Sequence, residues 1–164
     1  MKTLYIIRHA KSSWKNLELD DFERPLNKRG KKNAPFMADV LKAKNVKPEL
    51  IISSPALRAK RTAQTIAKAL NYFKEIVYLE QIYEASASTL ERIVKNVGDE
   101  HNVAFLFGHN PGLNMLVEKY VAFEENIPTC GIVEIKFSCE SWSQANKKNA
   151  EFISFEYPKK SNLA

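Results

Sequence analysis

His9 and His109 are two of the 3 histidines in this 164-residue chain, and each follows an apolar run that stops abruptly. Residues 4–7 lead into Arg8-His9-Ala10-Lys11-Ser12, and residues 103–107 lead into Gly108-His109-Asn110-Pro111-Gly112. Both runs read as buried strands, and ligands bind at the C-terminal ends of strands in open α/β sheets. Histidine can act as nucleophile or proton carrier near neutral pH, and an adjacent arginine offers a planar fork that suits phosphate. Phosphoryl transfer asks for an in-line nucleophile and positive charge around three equatorial oxygens. His9 is therefore the expected nucleophile, its attacking nitrogen left free when the other ring nitrogen is fixed by a hydrogen bond. Arg8 and His109 are expected to hold phosphoryl oxygens from two different strand ends. Either histidine alone could be a cap or a loop contact; the recurrence of the pattern favours a site.

Arg58 adds an independent sign. Ser54 as N-cap with Pro55 at the first helical position is a strong helix start. Arg58 then lies in the first turn, where the helix dipole disfavours a cation by a few tenths of a kcal/mol up to ~1. An anion at that N-terminus, clamped by Arg58, would remove the mismatch. The alternative is a solvated arginine pointing away. Arg61, one turn later, reads as solvated or structural.

The elements that must position these residues alternate between strand and helix, the signature of βαβ units and a mostly parallel sheet. A first strand at 3–7 is followed by a charged loop of about twenty residues carrying Trp14 and Phe22, and loops of that length usually have a function or are disordered. A helix is expected over about 30–45, with Pro35 awkwardly inside it. A strand at 49–52, the helix opened by Ser54, a strand at 76–79 and a helix at 88–97 follow. The wholly apolar run 103–107 is the central strand. Leu113, Leu116, Val117, Tyr120 and Val121 then form one helical stripe. Beyond Gly131 the period becomes two: Val133, Ile135 and Phe137, then Ile153, Phe155 and Tyr157, predict a hairpin of edge strands. Trp142 in the polar segment between them, and Trp14, read as buried aromatic anchors, with a recognition surface as the alternative.

Length and composition suit a single domain spanning 1–164. The chain is 45% hydrophobic and 27% charged, with 2 cysteines and a net charge of +6. No apolar stretch approaches the roughly 20 residues that span a bilayer, and residues 4–7 are too short for a signal peptide. Cys130 and Cys139 are expected to be free thiols in a reducing cytoplasm. The positive charge favours anionic partners, but the basic residues are scattered except for a tail pair, Lys159 and Lys160, and a cluster at Lys28, Arg29, Lys31 and Lys32, read as a solvated helix start with a substrate-steering rim as the alternative. No recognition helix, zinc motif or aromatic platform argues for nucleic acid.

Arg8-His9-Ala10, Arg24-Pro25-Leu26-Asn27 with Arg29-Gly30, Ser53-Ser54-Pro55 with Arg58 and Thr62-Ala63-Gln64-Thr65, and Gly108-His109-Asn110-Pro111 come in the order found in the histidine phosphatase superfamily. The resemblance is to its compact SixA-like branch, the phosphohistidine phosphatases, and covers about residues 1–120. It implies an α/β three-layer sandwich, a mostly parallel sheet with helices on both faces and one antiparallel edge strand. It also implies that His9 is transiently phosphorylated, that Arg8, Arg58 and His109 form the phosphate pocket, and that neither metal nor other cofactor is needed. Arg24 resembles a further rim arginine, or else pairs with Asp20, Asp21 or Glu23; Ser12 is a further candidate phosphate ligand. The family's Arg-His-Gly is Arg8-His9-Ala10 here, so this position need not take a positive φ.

A general acid is harder to locate. Alkoxide leaving groups need protonation, and phosphomonoesterase branches place a carboxylate after the third strand. Gln81 occupies that place, flanked by Glu80 and Glu84, and Glu84 is the preferred candidate. Without an acid, substrates whose leaving groups depart unaided are favoured, phosphohistidine among them. The expected protein is a monomeric, metal-independent phosphatase acting on phosphohistidine in a protein. A small-molecule phosphomonoesterase and a non-catalytic phosphoprotein-binding module are the alternatives.

Overall fold

The first strand, β1 (Lys2–Arg8), is buried along nearly its whole length, because its two faces feed two separate cores. Leu4 and Ile6 enter one core, and Tyr5 and Ile7 the other. A strand apolar on both faces belongs in the middle of a sheet covered by helices. The computed structural model, which describes residues 1–162, places it there. The six-stranded sheet has the order β3-β2-β4-β1-β5-β6, where β2 is Leu50–Ser53, β3 Val77–Tyr78, β4 Val103–Gly108, β5 Ile132–Phe137 and β6 Ala150–Glu156. Strands β1 to β4 are parallel; β5 runs antiparallel to both β1 and β6.

Helices α1 (Lys28–Ala43) and α2 (Leu57–Ala69) pack on one face, contributing Met37, Leu41, Ala63 and Ile66 to its core. Helices α3 (Ala87–Lys95) and α4 (Gly112–Tyr120) cover the other with Leu90, Ile93, Leu116 and Val117. A short α5 (Pro158–Asn162) follows β6. This is the expected α/β sandwich. No helix among the described residues is long and apolar enough to cross a membrane.

Several local expectations shift. Helix α1 starts before Gly30 because Asn27 caps it, its side chain accepting the Gly30 N–H, and Pro35 sits inside. Helix α2 begins at Leu57 rather than Pro55. The reversed strand β5 is not at the edge: β6 lies outside it. Between Glu134 and Ile135 the β5–β6 register slips, pairing Glu134 with Ser154 and Ile135 with Phe152. Ile153 is skipped, and it is 38% exposed instead of facing the core. Trp142 is fully buried as expected, whereas Trp14 is 67% exposed.

Sheet order also builds the site. Strands β1 and β4 are neighbours, yet the chain leaves β1 for a helix on one face and leaves β4 for a helix on the other. A crevice opens between two such strand ends, the switch point at which α/β sheets bind ligands. Arg8 pairs with Gly108 in register, so the next residues on the two strands, His9 and His109, emerge side by side.

Candidate active site

The rings of His9 and His109 lie with centroids 5.1 Å apart and planes at 50°. Backbone bonds hold the β1 exit: the His9 N–H donates to the Gly108 carbonyl at 3.1 Å, and the Cys130 N–H is shared by the carbonyls of Arg8 and His9. Ala10 is fully buried and has no positive φ, as its alanine requires. Its carbonyl lies 2.7 Å from His9 Nδ1. A carbonyl can only accept, so Nδ1 carries the hydrogen and Nε2 keeps its lone pair. The Ala10 N–H donates to Thr62 Oγ1, and the Thr62 hydroxyl donates to the Arg58 carbonyl. Thr62 thus ties the first turn of α2 to the exit of β1, and Arg58 is carried to His9.

Arg8, His9, Ser12, Arg24, Arg58 and His109 line one hollow at this end of the sheet. A second hollow, sharing Arg58, His109 and Asn110, extends past Tyr83, Glu84 and Met115. All the phosphate-binding candidates therefore converge. Glu84 lies in the extension, exposed and at φ 56°. Glu80 lines neither hollow, and Gln81 opens instead onto a separate groove beside β3 and α3. The position expected for an acid after the third strand thus does not face the histidines.

Arg58 is not solvated. Its guanidinium donates to the Asp21 carbonyl at 2.6 Å and the Asp21 carboxylate at 2.9 Å. Arg24 donates to the other carboxylate oxygen at 2.7 Å, donates to Ser12 Oγ, and stacks on exposed Trp14 with its central carbon 3.1 Å from the ring centroid. The Tyr83 hydroxyl donates to Asp21 Oδ2 at 2.6 Å, and its ring stands edge-on to His109. Partial burial would raise the Asp21 carboxyl, but hydrogen bonds from Tyr83, Arg24 and Arg58 outweigh it and hold the group well below the usual range. The sequence offers Asp21 only as one of three acidic partners for Arg24. Its role as the hub of the arginines was out of reach, because Arg58 and Tyr83 lie 37 and 62 residues away along the chain.

Arg8 donates to the Ile127 carbonyl at 2.9 Å, an oxygen also held by Asn110. Its Nε is buried with no partner, as is Nδ1 of His109. Burial lowers both histidines, and Arg58 and Arg8 reinforce this: His9 to about 4, despite its bond to Ala10, and His109 to about 3. Both rings are neutral at pH 7. A neutral imidazole with a free Nε2 can attack phosphorus, and the guanidinium groups around it, with the unpartnered Arg8 Nε among their N–H groups, can stabilise the phosphoryl oxygens.

The sequence pattern of the histidine phosphatase superfamily (branch 1) matches residues 4–143. The crystal structure of the putative phosphohistidine phosphatase SixA from Agrobacterium tumefaciens superposes with a TM-score of 0.83 and 27% identity, covering 96% of this chain and 98% of that one. A protein histidine phosphatase SixA complexed with tungstate shares the fold with a TM-score of 0.82 at 22% identity, over 99% of both chains. An uncharacterised chloroplastic protein of Arabidopsis thaliana is 27% identical over 153 residues, 88% of this chain and 70% of that protein. The chain therefore belongs to the histidine phosphatase superfamily (branch 1), as a phosphatase whose fold is closely similar to that of SixA.

Proposed function

We propose that the protein removes the phosphoryl group from phosphohistidine in a protein, through a phosphohistidine intermediate on His9. One observation carries this reading. Arg8 Nε and His109 Nδ1 are two of three buried side-chain atoms without a partner among the described residues, and both lie beside a histidine whose Nε2 is free. Buried polar atoms left unpaired are costly, and a phosphoryl group can satisfy both.

In the first step Nε2 of His9 forms a bond to phosphorus as the bond to the leaving group breaks. Arg8, Arg58 and His109 carry the charge on the equatorial oxygens. A leaving imidazole takes its proton on the ring nitrogen remote from phosphorus, so no acid is needed at the bridging atom. An alkoxide would need one there. In the second step water attacks phosphorus, the bond to Nε2 breaks, and His9 is regenerated with release of inorganic phosphate. The guanidinium groups supply the positive charge, without a metal. The same reading takes the chain as a monomer of a reducing cytoplasm, in keeping with the free thiols of Cys130 and Cys139.

Denaturing quench during turnover of a phosphohistidine protein tests the proposal. Acid-labile, base-stable phosphate should appear on the wild type and not on His9→Ala. Turnover with no such adduct at any time point would refute it, and faster hydrolysis of sugar phosphates than of phosphohistidine would favour the small-molecule alternative.

A further inference from the structure

We infer that Ser54 is a positioning residue that fixes His109 as the Nδ1–H tautomer and thereby makes its Nδ1 a hydrogen-bond donor to the phosphoryl group. Ser54 is fully buried between β2 and α2. The sequence marks it as an N-cap, but α2 begins at Leu57, and its hydroxyl lies 2.8 Å from Nε2 of His109.

Hydrogen accounting decides which nitrogen is protonated. The Ser54 N–H donates to the Phe107 carbonyl, and the Ser54 carbonyl accepts the Ser53 hydroxyl. Ser54 Oγ already accepts the Ala56 N–H at 3.2 Å. What remains is one hydroxyl hydrogen, and Nε2 of His109 is the acceptor within reach. If Nε2 carried the ring hydrogen instead, the buried Ser54 hydroxyl would be left with nothing to donate to. Nδ1 would at the same time become a buried lone pair with no donor. Two groups would then go unsatisfied in place of one, at about 1–3 kcal/mol each. With Nε2 accepting, Nδ1 carries the hydrogen on the ring edge turned away from Ser54, where no protein atom receives it.

The two histidines are thereby made unlike each other. Each carries its hydrogen on Nδ1. On His9 that hydrogen is spent on the Ala10 carbonyl, which leaves a lone pair for attack. On His109 the lone pair is spent on a hydroxyl, which leaves an N–H for an oxygen acceptor. A carbonyl behind one ring and a hydroxyl behind the other divide nucleophile from donor. Neutrality at pH 7 keeps both arrangements intact.

What the donor serves rests on the phosphatase reading proposed above; which nitrogen carries the hydrogen does not. Two-bond proton–nitrogen correlation spectra of the nitrogen-15-labelled full chain at pH 7 read the tautomer directly. Wild-type His109 should show a protonated Nδ1 and a bare Nε2. Ser54→Ala should mix or reverse the tautomers and weaken binding of inorganic phosphate, read by titration calorimetry, about ten- to hundredfold. Ser54→Thr, which keeps the hydroxyl, should restore both readouts; far-UV circular dichroism checks that each variant is folded. A wild-type His109 protonated on Nε2, or a Ser54→Ala protein with unchanged tautomer and phosphate affinity, overturns the assignment. A wild type with the expected tautomer and Ser54-dependent phosphate binding, but no phosphohistidine turnover, supports it and overturns the substrate proposed above.

Discussion

Replacing His9 or His109 with glutamine should make folding less sensitive to acid. In the folded protein burial lowers His9 to about 4 and His109 to about 3, while an unfolded histidine titrates at 6.5. Below 6.5 the unfolded chain therefore binds protons that the native state refuses. Stability is complete above that value and falls as the pH drops toward 4. At pH 5, 1.5 units below the unfolded value, each histidine costs roughly 2 kcal/mol relative to neutral pH. Guanidinium unfolding of the wild type, His9→Gln and His109→Gln at pH 7 and pH 5 measures this, and comparing slopes removes the common contribution of the carboxylates. Each single variant should lose about 2 kcal/mol less than the wild type between the two pH values. Three identical pH slopes would refute the burial argument. The acid limb of kcat/KM should likewise fall well below pH 6.5.

Asp21→Asn removes the carboxylate that gathers Arg24, Arg58 and Tyr83. Because the Asp21 side chain is 43% exposed, solvent screening holds the expected loss to about 1–2 kcal/mol at pH 7, a few degrees in Tm. The carboxylate's folded value lies below its ordinary 3.8, so the stabilisation is present above that pH; melts of both proteins should draw together as the pH falls below it. Gly30→Ala would drive a Cβ into the Lys11 carbonyl oxygen, which also receives the Asn27 N–H. A loss of about 1–3 kcal/mol in thermal unfolding is expected, since backbone must shift. Glu84→Gln should leave phosphohistidine turnover within about twofold; a fall of about a hundredfold or more would make Glu84 a general acid.

Much of the candidate site could be read from the chain because residue type and position coincide there. Apolar runs terminate in Arg8-His9 and Gly108-His109, and strand ends in such sheets lie on one rim. Arg58 was conspicuous because a cation in the first turn of a helix needs an anionic partner. That reasoning held physically while missing a partner: the anion beside Arg58 is the protein's own Asp21. Ser54 was visible, but in the wrong role. Local pattern assigns a serine before proline to capping, whereas its hydroxyl is taken by a ring 55 residues away. The sequence reads Trp14 as a buried anchor, yet it lies open on the guanidinium of Arg24.

Periodicity and residue type determined that strands alternate with helices, which faces are apolar, and that two histidines and an arginine end up where phosphate chemistry is possible. Those properties are local, written in patterns only a few residues long. Folding alone decided that β1 and β4 are neighbours in a register pairing Arg8 with Gly108, that β6 covers β5, and that Asp21 meets Arg58 and Tyr83. It also decided which nitrogen of each histidine is engaged. Such choices depend on groups tens of residues apart satisfying one another's hydrogen bonds in a water-poor crevice, and no short stretch of sequence contains both partners.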